Sequence, residues 1–313
     1  MKQSADFLAY ALAMAVMKPF SALPLGLSRT IGRCVGLLWW ALDFKHRALV
    51  KKNLNIAFPS KSPAEIGGLC RKVFENMGMS FADFAFGENF TSANVERYIK
   101  VAGFENYQKA HESGRAVILA GGHQACWEWE STLQHWTKRP FYVIQKRIKN
   151  RFMDDFAVRR RARFGVVAVH PRGAVAELAG HAGEDCDFGF YTDQRADRVK
   201  GLYVGFFGRN ASTSAGLGVL ARTHGVAVVP GSIRRTGYGA EIKIFPMIET
   251  PVTSDADADI KEVTRRVNKF LEDRIRECPE EYFWVHDRWR WTSPTDIDTT
   301  SPENWGRKKR ANA

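Results

Sequence analysis

The sequence lacks the motifs that identify several common enzyme classes. It contains no G-x-S-x-G turn for a serine nucleophile and no H-E-x-x-H pair for zinc, and neither a P-loop nor a G-x-G-x-x-G fingerprint stands at a strand-to-helix turn. We therefore expect no metal ion and no bound cofactor. A nucleophile is expected to be a hydroxyl group that the substrate supplies.

The chain is also poor in cysteine. Its five cysteines are scattered, odd in number and without a C-x-x-C pair. This pattern favours a reducing compartment over a disulfide framework or a structural zinc site. Cys126 is expected to be a small buried hydrophobic residue and not a nucleophile.

No apolar run reaches the roughly 18 to 20 residues that a membrane-spanning helix needs. The N-terminus carries two shorter runs, FLAYALAMAVM at 7–17 and IGRCVGLLWWALDF at 31–44. We interpret residues 1–45 as an apolar helical segment that associates with a membrane by dipping into one leaflet. A cleaved signal peptide and a buried helix of the globular fold remain open as alternatives.

Acidic residues are in deficit. The 313 residues include 46 Lys and Arg against 34 Asp and Glu, which gives a formal net charge of +12. The excess is concentrated in KRIKNR at 146–151 and RRRAR at 159–163. The expected partner is therefore anionic, and nucleic acid, an acidic protein, phosphate groups and a membrane surface all remain open at this point.

The pattern of hydrophobic residues changes near residue 115. Residues 46–110 have the pattern of consecutive helices, whereas short apolar runs alternate with amphipathic stretches farther along. The predicted strands lie at 115–120, 141–145, 166–170, 188–194, 203–207, 227–235 and 241–248, and predicted helices follow His123 and Gly173 and occupy 150–164, 213–224 and 259–277.

This alternation predicts an α/β fold with a mixed, largely parallel sheet flanked by helices. The two consecutive late strands predict an antiparallel component. We assign residues 46–292 to one catalytic domain and residues 293–313, which are polar and end in GRKKR, to a flexible basic tail.

The segment AVILAGGHQACWEWE, residues 116–130, combines features of a catalytic turn. Gly121 and Gly122 end a predicted strand and permit a sharp turn, and His123 follows at once. If His123 lies in the turn, Glu128 can swing back and hydrogen-bond one ring nitrogen, which leaves the other nitrogen free to take a proton from a hydroxyl. A helix-start histidine next to a surface carboxylate is the alternative.

The histidine, four residues and an acid behind a Gly-Gly strand end resemble the signature of the glycerolipid acyltransferase superfamily. Over about residues 7–291 the chain resembles the lipid A biosynthesis acyltransferases, the lauroyl and myristoyl transferases. The blocks that carry this resemblance, in order, are RALVKKNLNIAFP (47–59), KRIKNRFMDDFAVRRRARFG (146–165), YTDQRADRVKGLYVGFFGRNASTSAG (191–216), VAVVPGSIRR (226–235) and EYFWVHDRWRW (281–291).

The resemblance implies a chemical role for each catalytic candidate. His123 would deprotonate a hydroxyl of the lipid acceptor, and Glu128 would orient His123 and offset its positive charge. The backbone N–H groups of Gly121 and Gly122, or Arg161, would stabilise the oxyanion that forms on the thioester.

The resemblance also implies substrates and partners. The residues that it suggests for acceptor binding are Arg147, Asn150, Arg161, Asp193, Gln194 and Lys200, of which the cations would contact phosphate and Asp193 with Gln194 would organise one wall of the site. Acyl carrier protein is the implied acyl donor, with coenzyme A left open, and an anionic glycolipid is the implied acceptor. The implied location is the cytoplasmic face of a bacterial inner membrane, and no nucleic-acid partner is expected.

Other functions remain as alternatives. An acyltransferase that acts on another glycolipid or on a phospholipid would share the same motifs. A basic nucleic-acid-binding protein would explain the charge but not the apolar N-terminus. A metal-assisted hydrolase that uses His123 and Glu128, and a catalytically silent membrane-surface protein, are the remaining possibilities.

Overall fold

The computed structural model describes residues 2–112 and 114–292. The chain begins with helices only, in the order α1 (Lys2–Ala22), α2 (Leu25–Leu42), α3 (Phe44–Ala57) and α4 (Pro63–Phe86). Helix α4 starts at a capping box, in which the Ser62 hydroxyl accepts from the Glu65 N–H and the Glu65 carboxylate accepts from the Ser62 N–H.

Helices α2 and α4 pack with their backbones in close contact. A Cβ atom at Gly36 would lie 2.1 Å from the Phe74 carbonyl oxygen, and one at Gly78 would lie 2.0 Å from the Gly32 carbonyl oxygen. Only glycine permits this approach, so α2 is held against α4 along its glycine-bearing face. The opposite face of α2 exposes large apolar side chains, among them Val35, Leu38 and Leu42.

The remaining strands and helices alternate along the chain. The strands are β1 (Ile99–Ala102), β2 (Val117–Gly121), β3 (Phe141–Ile144), β4 (Val166–Val169), β5 (Asp187–Tyr191), β6 (Leu202–Phe206), β7 (Arg209–Thr213), β8 (Ala227–Arg235) and β9 (Ala240–Ile244). The helices are α5 (Val95–Tyr98), α6 (Phe104–Ala110), α7 (Gln134–Thr137), α8 (Arg151–Ala162), α9 (Ala174–Gly180), α10 (Gly216–His224) and α11 (Ala256–Glu277), with 3₁₀ helices at Gly87–Asn89, Trp127–Leu133 and Pro279–Glu281.

Seven strands form one sheet in the order β1-β9-β8-β2-β5-β3-β4. Strands β8, β2, β5, β3 and β4 run parallel, β9 pairs antiparallel to β8, and β1 runs parallel to β9. Strands β6 and β7 form a separate antiparallel hairpin. The predicted α/β class with its mixed, largely parallel sheet is therefore confirmed, including the antiparallel late pair.

Both faces of the central strand β2 are buried. Ile118 and Ala120 contribute to one apolar cluster, with side chains from α9, α10 and α11, whereas Val117 and Leu119 contribute to a second cluster with α6 and the 3₁₀ helix Trp127–Leu133. Successive side chains of a strand point to opposite faces, so helices cover both sides of the sheet at this strand. The carboxyl end of β2 emerges between them.

Three local predictions are wrong. The stretch 46–110, predicted to consist of consecutive helices, is interrupted by β1, which joins the sheet beside β9. The stretch after His123 forms a 3₁₀ helix and one short α-helix in place of a regular helix. Residue 213 ends β7 and does not begin a helix, because residues 209–213 pair with β6.

Within the described residues, none of the helices combines the length and the apolar character that crossing a membrane requires. Helix α1 nevertheless leaves Leu8 and Leu12 about two-thirds exposed, at 70% and 66%. The membrane-associating role of residues 1–45 stays a prediction. The tail at 293–313 lies outside the described residues.

Candidate active site

The sheet brings His123 next to an aspartate that is distant in sequence. Strands β2 and β5 are parallel neighbours, and their register pairs Gly121 with Tyr191. His123 and Asp193 each follow the end of their strand by two residues and therefore meet at the carboxyl edge of the sheet. The His123 Nδ1 atom lies 2.9 Å from one Asp193 oxygen, and the His123 backbone N–H donates to the other at 3.0 Å.

The C-terminal segment holds this turn in place. The Ala125 N–H donates to the Glu281 carbonyl at 2.8 Å, and the Phe283 N–H donates to the His123 carbonyl at 3.0 Å. The Tyr282 hydroxyl donates to the Asp193 carbonyl at 3.2 Å. Since one segment, residues 281–283, contacts both strand ends, the imidazole and the carboxylate are fixed relative to each other.

The charges at this edge favour a protonated His123. Burial by itself lowers the pKa of the imidazole, but the charge and hydrogen bond of Asp193, with smaller contributions from Glu128 and Glu130, outweigh it and raise the pKa above 6.5. Burial likewise opposes ionisation of Asp193, yet the His123 charge and hydrogen bonds hold the pKa of that carboxyl below 3.8. The two groups therefore stabilise each other as an ion pair.

The second ring nitrogen of His123 is turned away from Asp193. With a carboxylate at Nδ1, the neutral ring carries its proton on Nδ1 and presents a lone pair at Nε2. The Gln194 side-chain nitrogen lies 3.3 Å from Nε2, a distance at which its N–H can donate to that lone pair. The imidazole can thus accept a proton at Nε2 from a hydroxyl that takes the place of Gln194.

The expectation that Glu128 hydrogen-bonds His123 is wrong. Glu128 lies on the 3₁₀ helix and accepts two hydrogen bonds from Arg161 of α8, at 3.1 Å from Nε and 2.6 Å from a terminal nitrogen. A two-pronged pair with a guanidinium uses the geometry that a carboxylate prefers, and Asp193 already occupies Nδ1 of the ring. Glu128 therefore acts on His123 through its charge and on Arg161 through direct contact.

A cavity of about 580 Å³ opens at His123. Its polar wall includes Glu128, Glu130, Arg161, Gln194 and Arg195. Its apolar wall lies over the sheet and includes Leu119, Leu133, Phe141, Val166, Ile242 and Ile244. The volume lies within the roughly 300 to 1,000 Å³ that ligand pockets occupy, so the site can hold a substrate with one polar and one apolar part.

Sequence reasoning missed a second carboxyl group in this cavity, that of Glu130. The Tyr191 hydroxyl donates to Glu130, and the Tyr191 ring packs edge-on against His123 with the ring centroids 4.8 Å apart. Burial raises the pKa of Glu130 to about 7, although the hydrogen bond from Tyr191 and the His123 charge oppose the rise. No sequence motif marks this pair, because it depends on the register of β2 and β5.

The glycines before His123 have a packing role. A Cβ atom at Gly121 would lie 3.0 Å from the Tyr191 ring and 3.2 Å from Glu130. One at Gly122 would lie 3.1 Å from Leu271, so neither position has room for a side chain without a shift. Their role as oxyanion donors stays a prediction.

Four predicted acceptor-binding residues lie outside the cavity wall. Asp193 is buried and pairs with His123 instead of lining the cavity. Asn150 is the N-cap of α8, where its side chain accepts from the Phe152 and Met153 N–H groups and donates to the Asp6 carbonyl. This satisfies the side chain locally. Arg147 and Lys200 are exposed and do not line the cavity.

Lys146 and Arg195 line the cavity in their place, and sequence reasoning missed both. The basic run at 146–151 therefore does contribute a side chain to the cavity, but that side chain is Lys146 and not the neighbouring Arg147. Within the described residues no three His, Cys, Asp or Glu side chains converge as ligands for a metal ion.

A sequence model described as "Bacterial lipid A biosynthesis acyltransferase" matches residues 1–291. The chain belongs to this family. It is therefore an acyltransferase, and the family supports transfer of an acyl group to a lipid acceptor.

Relatives of known activity are distant in sequence. The lipid A biosynthesis palmitoleoyltransferase of Escherichia coli K12 is 23% identical over 262 residues, 83% of this chain and 84% of the relative. The lipid A biosynthesis lauroyltransferase of the same organism is 26% identical over 278 residues, 84% of this chain and 85% of the relative. The crystal structure of the 1-acyl-sn-glycerophosphate acyltransferase PlsC from Thermotoga maritima aligns over 80% of this chain and 98% of that chain, with 15% identity and a TM-score of 0.37.

Proposed function

We propose that this acyltransferase moves a fatty acyl chain from an acyl thioester to a hydroxyl group of a lipid A precursor or a related glycolipid. The observation that carries the proposal is the His123–Asp193 pair, whose imidazole lines a cavity with one polar and one apolar wall. This combination provides a base for an alcohol and space for a hydrocarbon chain.

His123 begins the reaction as a general base. Nε2 takes the proton of the acceptor hydroxyl, and Asp193 stabilises the imidazolium that forms. The acceptor oxygen forms a bond with the thioester carbonyl carbon and generates a tetrahedral oxyanion. The oxyanion collapses as the C–S bond breaks, and the leaving thiolate takes the proton back from Nε2.

Arg161 is the side chain that we assign to the negative charge of the transition state or of the acceptor. Its guanidinium lines the cavity and is held by Glu128. Burial by itself lowers the pKa of Arg161, but the Glu128 charge outweighs it and raises the pKa, so the cation persists in the site. The backbone N–H groups of Gly121 and Gly122 remain further candidates for the oxyanion.

The apolar wall of the cavity would hold the donor acyl chain, and Lys146 with Arg195 would contact anionic groups of the acceptor. An acidic acyl carrier protein as donor agrees with the net charge of +12, since a basic surface steers an acidic partner. The exposed apolar faces of α1 and α2 would lie against the cytoplasmic leaflet of the inner membrane and bring the site to its acceptor.

The test uses the full chain with two donors and two acceptors. Acyl carrier protein and coenzyme A, loaded with the same acyl chain, are each offered with a lipid A precursor and with a lysophospholipid, and mass spectrometry detects the product. We expect a gain of one acyl group on the glycolipid and a preference for the carrier protein. Acylation of the lysophospholipid alone would instead identify a phospholipid acyltransferase.

A further inference from the structure

A second pocket lies on the other side of the 3₁₀ helix Trp127–Leu133. It has a volume of about 390 Å³ and is enclosed by α2, α4 and the start of the 3₁₀ helix. Its main wall residues are Trp39, Met77, Phe81, Phe84, Trp127 and Trp129. None of the substrates assigned above uses this space.

Three polar groups around the second pocket already donate hydrogen bonds to other protein groups. The Trp129 indole N–H donates to the Asp83 carbonyl at 2.8 Å, and the Ser80 hydroxyl donates to the Ala125 carbonyl at 2.7 Å. The Trp39 indole N–H donates to Asp43 at 3.0 Å. The pocket therefore offers mainly aromatic and aliphatic surface, which suits a hydrocarbon and not a sugar or a phosphate.

The second pocket shares a wall with the reaction cavity. Trp127 and Glu128 line both spaces. The Trp127 ring is 5.6 Å from the His123 ring, centroid to centroid. The Glu128 carboxylate accepts a hydrogen bond from Arg161, which lines the reaction cavity, so the charge of Glu128 lies on the side of that cavity. A molecule whose polar head reaches His123 could thus place a tail beyond Trp127.

The second pocket also reaches the apolar face of the N-terminal helices. Phe81, one of its wall residues, is 38% exposed and packs against Phe20 of α1, with the ring centroids 5.2 Å apart. Trp39 lies on α2 beside Leu38, which is 59% exposed. A hydrocarbon chain that enters from this face would meet exposed apolar side chains at the mouth of the pocket.

We propose that the second pocket binds a hydrocarbon chain of the acceptor lipid, while the donor acyl chain occupies the reaction cavity. The proposal rests on the proposed function, because it assumes a lipid acceptor at His123. The two chains then approach the imidazole from opposite sides of Trp127, and this arrangement keeps donor and acceptor apart until the thioester meets the hydroxyl.

Photo-crosslinking tests the occupant directly in the wild-type chain. An acceptor lipid with a diazirine on its chain is expected to label α4 around residues 77–84 and the segment 126–129, and an acyl donor with the same group is expected to label the strands around residues 141–144 and 242–244. Acceptor label confined to the donor region, or donor label in the second pocket, would overturn the assignment. This readout needs binding but no turnover.

A matched pair of variants tests the same point by kinetics. Met77→Trp narrows the second pocket, whereas Met79→Trp places the same side chain on α4 at a position outside both pockets. We expect Met77→Trp to raise the KM of a fully acylated acceptor about tenfold relative to Met79→Trp, with a smaller effect on an acceptor with shortened chains.

Equal KM values for the two folded variants would refute the chain site. A wild-type enzyme that acylates no lipid would instead refute the proposed function, and the crosslinking pattern would still decide the occupancy of the pocket. Thermal unfolding of both variants shows whether they are folded.

Discussion

Strand β5 carries a histidine–aspartate pair at each end, and the two pairs differ in their surroundings. At its start, Asp187 lies 2.8 Å from Nε2 of His111; beyond its end, Asp193 lies 2.9 Å from Nδ1 of His123. The His111 side chain is 2% exposed, whereas that of His123 is 20% exposed and lines the cavity.

The comparison shows what makes such a pair a candidate catalyst. Asp187 also accepts from the Tyr107 hydroxyl, at 3.0 and 3.1 Å, so the pair at the start of β5 is enclosed by protein groups. In the pair beyond the end of β5, the second ring nitrogen lies near the Gln194 side chain, and the imidazole lines the cavity. Nearly the same distance thus serves packing at one end of the strand and, in the proposed reaction, proton transfer at the other.

The largest expected effect separates the two histidines. His123→Ala removes the base and is expected to reduce kcat by about 10³-fold or more. Because it also leaves the buried Asp193 without its ion-pair partner, it is expected to lower the free energy of unfolding as well. His111→Ala leaves Asp187 buried without its partner and is expected to lower the free energy of unfolding by about 3 kcal/mol while kcat of the folded enzyme changes little. Activity assays and denaturant unfolding of both variants measure the two quantities.

Equal kcat losses in the two variants would remove the distinction between the pairs. His111→Gln is the milder companion, because its amide can still donate to Asp187. It is expected to recover part of the lost stability.

The next effect concerns the aspartates. Asp193→Asn removes the charge that raises the pKa of His123, so the rise of kcat/KM with pH, which follows loss of the imidazole proton, is expected to move to lower pH. The plateau is expected to fall by about 10² to 10⁴-fold, since the amide no longer stabilises the imidazolium. A pH–rate profile measures both changes, and Asp187→Asn is the control that should leave the midpoint in place.

A smaller effect is expected at Glu128. Glu128→Gln breaks the ion pair with Arg161 and is expected to reduce kcat/KM about tenfold, with a smaller shift of the pH midpoint than Asp193→Asn causes. Arg161→Lys keeps the charge but cannot form the two-pronged pair, and it is expected to cause a similar loss. The double variant should lose less than the product of the two single losses, as a double-mutant cycle would show. A midpoint shift larger than that of Asp193→Asn would restore Glu128 as the direct partner of His123.

The sequence was most informative where hydrophobic runs are long or a strand end is marked by glycine. The strands predicted at 115–120 and 227–235 correspond to β2 and β8, and His123 directly follows the turn at the end of β2 as expected. Strand β1 was missed because its four residues, between two short helices, are too few to show the alternation of hydrophobic and polar residues that marks a strand. The N-cap role of Asn150 could have been predicted, since asparagine before a helix is a common cap.

The partner of His123 was predicted wrongly for a physical reason. Glu128 is close in sequence, whereas Asp193 is close only because β2 and β5 are parallel neighbours in the register that pairs Gly121 with Tyr191. One sequence does not reveal which strands pair. The family resemblance nonetheless marked Asp193 as a site residue, although it assigned the side chain to a wall of the acceptor site and not to His123.

The last expected effect is on stability and not on rate, and it concerns Glu130, which the same edge places near His123. Because burial raises the pKa of Glu130 to about 7, the unfolded chain releases this proton near pH 4.5 while the folded chain keeps it, and the wild type loses stability as the pH rises between these values. The Glu130→Gln side chain cannot ionise, so its free energy of unfolding is expected to exceed that of the wild type by up to about 3 kcal/mol at the upper end of that pH window.

Asp193 should behave in the opposite way, which makes the two carboxyl groups a test of the site's electrostatics. Its pKa is held below 3.8 by His123 against the effect of burial, so its contribution to stability is present at higher pH and is lost as the pH falls through the folded-state pKa. The free energy of unfolding of Glu130→Gln should therefore rise relative to the wild type as the pH increases up to about 7. The free energy of unfolding of Asp193→Asn should approach that of the wild type only in acid. If the stability of Glu130→Gln instead stays at a constant difference from that of the wild type up to about pH 7, Glu130 is already ionised in the folded chain. Tyr191 and His123 would then together stabilise a second buried charge at the carboxyl edge of β5.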